Sequence, residues 1–198
     1  MDLKFYIINE DYINFLRSYP KLSNVFDNKE NASNFSRKYL GIVLSINEYK
    51  YYVPISSPKN SDYIVTDNSK AIKKSIIPII RIVVENRQSN LELKGTLKLS
   101  NMIPVPDSML TYYDFSTETD MNYRILMEKE YDFIRKNKKL ILKNASILYN
   151  QKTKENELYP TNCKKPGYLK TVVDFKYAEE ICDKFLILKN IKTDKPTG

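Results

Sequence analysis

The sequence predicts an α+β fold, a mainly antiparallel β-sheet with flanking α-helices, and three observations carry that reading. The run YLGIVLSI, the pair Asn47 and Glu48, and the run YKYYVPI look like two strands joined by a two-residue hairpin link. After Asp107 the hydrophobic period changes from 2 to 3.6. The stretches between strand-like runs are too short for repeated crossover helices, so neighbouring strands should run antiparallel.

Taken in order, LKFYII at residues 3–8 alternates as a strand does, and EDYINFLRS places Tyr12, Phe15 and Leu16 on one helical face. Residues 20–38, rich in Asn and Ser with few apolar anchors, read as a surface loop with a helical turn. The hairpin follows and delivers the chain into Ser56, Ser57, Pro58 and Lys59. Further strands are expected at IPIIRIVV (78–85), around LKLSNMIPV (97–105) and, more weakly, at DYIV. In residues 121–150 the set Tyr123, Leu126, Tyr131, Ile134, Ile141 and Leu148 recurs at helical spacing, as two helices broken near Asn137. QKTKENELYPTNCKKPGYLK reads as a basic loop and YAEEICDKFLILKN as a last helix. We expect residues 1–190 to form one domain and residues 191–198 a frayed tail.

Composition narrows the chemistry. The chain has 198 residues and no histidine, which removes Ser-His-Asp and Cys-His pairs, His-based zinc sites and any imidazole proton shuttle. Two cysteines and an N-terminus without an apolar signal segment point to the cytoplasm, and no run is long and apolar enough to cross a bilayer. Four glycines, none set as GxGxxG or GxxxxGK, leave no phosphate loop for nucleotide-driven work. Glu128, Glu130 and Asp132 alternate along a helix in the manner of a solvated face, so neither a metal nor a cofactor is expected.

With 32 Lys+Arg against 24 Asp+Glu, the net charge of +8 draws a polyanion, and nucleic acid is the commonest one in a cell. Lys70, Lys73 and Lys74, the cluster from Arg135 to Lys143, and the cluster from Lys164 and Lys165 to Lys170 each read first as ordinary solvated surface, although together they could line a groove for a nucleic-acid backbone. Ser56-Ser57-Pro58-Lys59 puts hydroxyls beside an ammonium at a strand end, which suits a phosphate. Ser-Ser-Pro is also the make-up of a plain turn.

The segments FYIINEDYINFL, YLGIVLSINEYKYYVPISSPK, NMIPVP and YDFIRKN, in that order and at those intervals, resemble the ToxN/AbiQ toxins of type III toxin-antitoxin systems. The likeness spans most of residues 3–150 and is most specific from Gly41 to Lys59. It implies a strongly twisted antiparallel sheet with a Kid/MazF-like core, and a sequence-selective endoribonuclease that needs no metal. Attack by the substrate's own 2'-hydroxyl would leave a 2',3'-cyclic phosphate and a 5'-hydroxyl on an mRNA. The implied inhibitor is a small folded repeat RNA, a pseudoknot that the enzyme also processes, held with it in a closed protein-RNA assembly.

Carried over by position, Ser57 and Lys59 are the active-site pair, Ser56 stands where the family has Thr or Ser, and Tyr12 matches a helix tyrosine. Arg37, with Lys38 beside it, falls where the family carries a cation. On this reading Lys59 stabilises the crowded phosphorane, Ser57 orients the phosphate, Arg37 grips an oxygen in a fork, and Tyr12 positions the ribose or stacks on a base. The rival reading is a non-catalytic RNA-binding module in which the turn is only a bend.

Overall fold

The structure is a computed structural model that describes residues 3–27, 37–66, 69–161 and 163–193, with side chains described through Asn190. Nine strands and five helices occur among these residues: β1 (Lys4–Ile8), α1 (Glu10–Arg17), β2 (Tyr39–Ile46), β3 (Tyr49–Ser56), β4 (Tyr63–Thr66), β5 (Ser69–Ile72), β6 (Ile79–Glu85), β7 (Leu91–Lys98), β8 (Ile103–Pro104), β9 (Leu110–Tyr112), α2 (Met121–Lys136), α3 (Lys138–Thr153), α4 (Glu155–Leu158) and α5 (Phe175–Thr193). Every strand pairing among the described residues is antiparallel, as the short connections of β2-β3, β4-β5 and β6-β7 require for those three pairs. The main sheet runs β6-β7-β3-β2-β1-β9 with β8 also beside β3, and β4-β5 form a separate hairpin.

The β2-β3 hairpin turns at Asn47, whose φ of 53° lies in the left-handed region that asparagine tolerates. Gly41 stands opposite Tyr52, and a Cβ there would lie 2.1 Å from the tyrosine ring, so only glycine lets the ring close over the backbone. β3 is the central strand. Its first half bonds to β8 at Tyr51 and Tyr52, and its last residues bond to β7 at Ile55 and Ser56.

Helices cover the sheet: α2 lies on β6 and β7, α3 on β2, and α5 on β8 and α1. The first two break at Asn137, whose side-chain amide donates to the Phe133 carbonyl at 2.9 Å and caps α2. Asp120 caps the other end by accepting from the N–H groups of Asn122 and Tyr123. The core is dense in aromatic rings, with Tyr51 edge-on to both Tyr149 and Phe175. No helix among the described residues is long and apolar enough to cross a membrane.

Several expectations are corrected. The 97–105 strand is two, interrupted by a 3-10 turn at Leu99–Asn101. β9 lies inside the region read as turning helical, a three-residue edge strand too short to show alternation. α3 continues to Thr153, and α4 takes part of the expected basic loop, because Lys and Gln are good helix formers despite their polarity. α5 continues to Thr193, into the stretch expected to fray. Much of the loop read at 20–38 lies outside the described residues; its start is a 3-10 turn at Pro20–Leu22.

Candidate active site

The last rung of β3 pairs Ser56 with Thr96, and Thr96 in turn stands opposite Arg81 of β6. Cross-strand partners share a face, and Lys98, two residues beyond Thr96, shares it as well. Ser56 is buried, whereas Ser57, Pro58 and Lys59 are exposed in succession. Pro58 has no N–H to continue the ladder, so the chain leaves the sheet there.

What holds the bend is a residue that the sequence reading did not single out. Asp62 closes the 3-10 turn Asn60–Asp62 and is 1% exposed. Its N–H donates to the Lys59 carbonyl at 2.9 Å, and its Oδ2 accepts from the Lys59 N–H at 3.0 Å. Its Oδ1 faces Arg81 Nη2 at 3.1 Å and Lys98 Nζ at 3.9 Å. Arg81, also buried, donates through Nη1 to the Lys74 carbonyl at 2.7 Å. A buried carboxylate is tolerated when it is paired and hydrogen-bonded on several sides, and this one nails the bend to the sheet. Burial lowers the pKa of Lys98; Asp62 opposes that shift, and Arg81 and Lys59 add to it.

Arg37 joins the same spot from just ahead of β2. Its Nη1 donates to Ser56 Oγ at 2.9 Å and to the Ile55 carbonyl at 3.2 Å, its Nε donates to the Asp27 carbonyl at 2.8 Å, and the guanidinium lies 4.8 Å from the centre of the Phe26 ring. Lys38 points the other way and is buried, with its ammonium 4.2 Å from the centre of the Tyr113 ring. Desolvation lowers its pKa, with Glu118 pulling the other way. Arg37 therefore joins the bend, and Lys38, expected on the RNA surface, is corrected to a core cation held by tyrosine rings.

Tyr12 is corrected too. It is 0% exposed, its hydroxyl donates to the Pro104 carbonyl at 2.6 Å, and its ring meets Phe185 edge-on at 5.0 Å. Burial raises its pKa well above the usual phenol value. A ring enclosed in this way cannot stack on a base or touch a ribose.

The remaining expected cations divide into two groups. Lys73 donates its N–H to the Asp62 carbonyl and its ammonium to the Ser61 carbonyl, both at 2.9 Å, and Lys74 receives Arg81, so both adjoin the bend. Lys70 lies over the Tyr63 ring on the β4-β5 hairpin that grows from the same turn. Arg135 is in the last turn of α2, Lys165 pairs with Glu155, and Lys164 is exposed; none of the three has a hydrogen bond or ion pair to the bend among the described residues. Arg81 and Lys98 thus face the Asp62 carboxylate, Lys59 bonds it through its backbone N–H, and Arg37 holds Ser56 beside them. Such an excess of positive charge beside the exposed Ser57 hydroxyl suits a phosphodiester.

Comparisons with known proteins bear on the family and the fold. The family model for the ToxN toxin of type III toxin-antitoxin systems matches residues 4–183. Endoribonuclease AbiQ of Lactococcus lactis subsp. lactis is 29% identical over 181 residues, covering 90% of this chain and 87% of that protein. Endoribonuclease ToxN of Bacillus thuringiensis subsp. kurstaki is 30% identical over 185 residues, covering 92% of this chain and 84% of that protein. The solved structure of AbiQ, a lactococcal anti-phage endoribonuclease of a type III system, aligns with a TM-score of 0.69 at 26% identity over 93% of this chain and 98% of that one. A toxin structure from a bacterial type III system, in which a non-coding RNA pseudoknot selectively inhibits the toxin, aligns with the same TM-score, identity and coverage. Matched over residues 4–183, with the fold of its solved relatives, the chain belongs to the ToxN family of type III toxin-antitoxin toxins.

Proposed function

We propose that the protein is a sequence-selective endoribonuclease toxin that cuts RNA without a metal, by attack of the ribose 2'-hydroxyl on the adjacent phosphate. The products are a 2',3'-cyclic phosphate and a 5'-hydroxyl. The observation that carries this reading is the exposed Ser57-Pro58-Lys59 bend, tied by Asp62 to a cationic sheet face and flanked by Arg37. The substrate brings its own nucleophile, so the protein needs only to orient the phosphate and stabilise the charge of the phosphorane. Ser57 serves the first need; Lys59 and Arg37 serve the second. Lys73 and Lys74 extend the positive surface along the flanking strand of RNA.

Its partner, on the same reading, is a small folded repeat RNA of the kind that inhibits the solved relative, bound across this surface and processed by it. Incubating the purified protein with an mRNA in EDTA is the test. Cleavage should persist, with cyclic phosphate and 5'-hydroxyl ends, and Ser57→Ala should abolish it while RNA binding survives. Loss of all cutting in the chelator, or salt-sensitive binding with the RNA intact after long incubation, would overturn the proposal.

A further inference from the structure

Glu130 is read from the sequence as part of a solvated face, yet it is 4% exposed. It occupies the buried stripe of α2 between Met127 and Ile134, where helical spacing turns it onto β6 and β7. The strand beneath it has Gly95 at the contact point. A Cβ built on Gly95 would lie 2.3 Å from Glu130 Oε1 and 3.4 Å from the Ser56 carbonyl oxygen. The missing side chain is a notch, and the carboxyl fills it.

The notch lies directly behind the bend. Ile55 stands opposite Leu97 and Ser56 opposite Thr96, so the same register carried one residue further runs Ser57 towards Gly95. The carboxyl therefore sits beside Ser56, the last paired residue of β3 and the one before the candidate catalytic serine.

Unlike Asp62, Glu130 has no hydrogen-bond or ion-pair partner among the described residues, and burial alone raises its pKa to about 8. No charged neighbour contributes to that shift: not Lys129 or Asp132 on its own helix, not Glu92 or Lys94 of β7, not Arg81 of β6. Burial thus favours the uncharged acid at neutral pH. An acid packed this deeply, with no partner among the described residues and only a sliver of solvent contact, costs the fold stability, and such groups concentrate where function holds them.

We infer that Glu130 is a positioning residue of the active site, its carboxyl seated in the Gly95 notch so as to fix the strand end that carries Ser57. This inference rests on the Ser57 bend being the site of cleavage. Ionisation would place a bare charge against that strand and loosen it, so cleavage should follow the protonated form.

The experiment measures initial cleavage rates of the full chain on a long mRNA transcript between pH 6 and 9.5, for wild type and for Glu130→Gln, Glu130→Ala, Gly95→Ala and Ser57→Ala. Glu130→Ala should lower kcat at least tenfold with KM little changed, and Glu130→Gln, which mimics the neutral acid, should rescue it. One pH unit above 8 the wild type should run about tenfold slower than the Gln variant, as its neutral fraction falls. Gly95→Ala displaces only the free end of a flexible side chain, so it should fold with an unchanged melting temperature yet cut at least tenfold more slowly. Parallel pH profiles for wild type and Glu130→Gln, or wild-type rates for Gly95→Ala, would overturn the inference. If Ser57→Ala itself cuts normally, the bend is not the site and both readings fall; if Ser57→Ala is silent while the Glu130 and Gly95 variants match wild type, this inference alone falls.

Discussion

Two glutamates, Glu179 on α5 and Glu130 on α2, are each 4% exposed, and they live by opposite rules. Glu179 Oε1 accepts from Tyr51 at 2.8 Å and from Tyr149 at 2.7 Å, while its Oε2 faces Lys176 Nζ at 2.9 Å. That cluster ties β3, α3 and α5 together, and every member has a partner. Glu130 presses an unpartnered carboxyl against a glycine. The difference teaches that one buried acid is cement, whereas the other is a cost the fold carries for the sake of the strand it touches.

That contrast can be broken or sharpened by substitution. The largest effect is expected from Glu179→Ala, which leaves two buried phenols and a lysine without their acceptor. Urea unfolding should show a loss of about 3–5 kcal/mol, and a loss below 1 kcal/mol would mean that the cluster is ornamental. Next comes Glu130→Gln, with the opposite sign. The acid holds its proton up to about pH 8 in the folded protein and to about 4.5 when unfolded, so its favourable contribution is complete below 4.5, drains away as pH rises from 4.5 towards 8, and is lost above 8. Replacing it should stabilise the protein by about 3 kcal/mol at pH 7, and the gain should vanish towards pH 4.5. Melting curves across that range decide it; a gain that does not vary with pH would contradict the assignment.

Tyr51→Phe removes one of the two phenols from Glu179 while keeping the ring, and should lose about 1 kcal/mol by the same unfolding measurement. Lys176→Met should matter least. Its side chain is 53% exposed, so the pair with Glu179 is partly screened, and a change of less than about 1 kcal/mol is expected, shrinking further in high salt.

The hairpin and its exit are legible in the sequence because their signals are local: alternation on both sides of Asn47 and a proline that stops the ladder at Pro58. Arg37 is legible through resemblance, although its neighbour Lys38 faces inward and only the pleat separates the two. Tyr12 misleads because a tyrosine on an amphipathic face fits either a ligand or a core, and the Pro104 carbonyl that satisfies its hydroxyl lies 92 residues away in the chain. Asp62, Arg81 and Lys98 come from a turn and two different strands, so no spacing in the sequence joins them. Glu130 does leave a trace: it falls three residues after Met127 and four before Ile134, on the stripe that points inward. Alternating charge masks that trace.

The strand that ends in the bend is flanked on both sides, by β2 along most of its length and by β8 and then β7 on the other edge. Amides near its end should therefore be among the last to take up deuterium, since they open only when the middle of the sheet opens. On the proposed function, an edge mounted on so firm a support leaves the nucleic acid to supply the pliancy, turning its backbone to fit a template that was set when the chain folded.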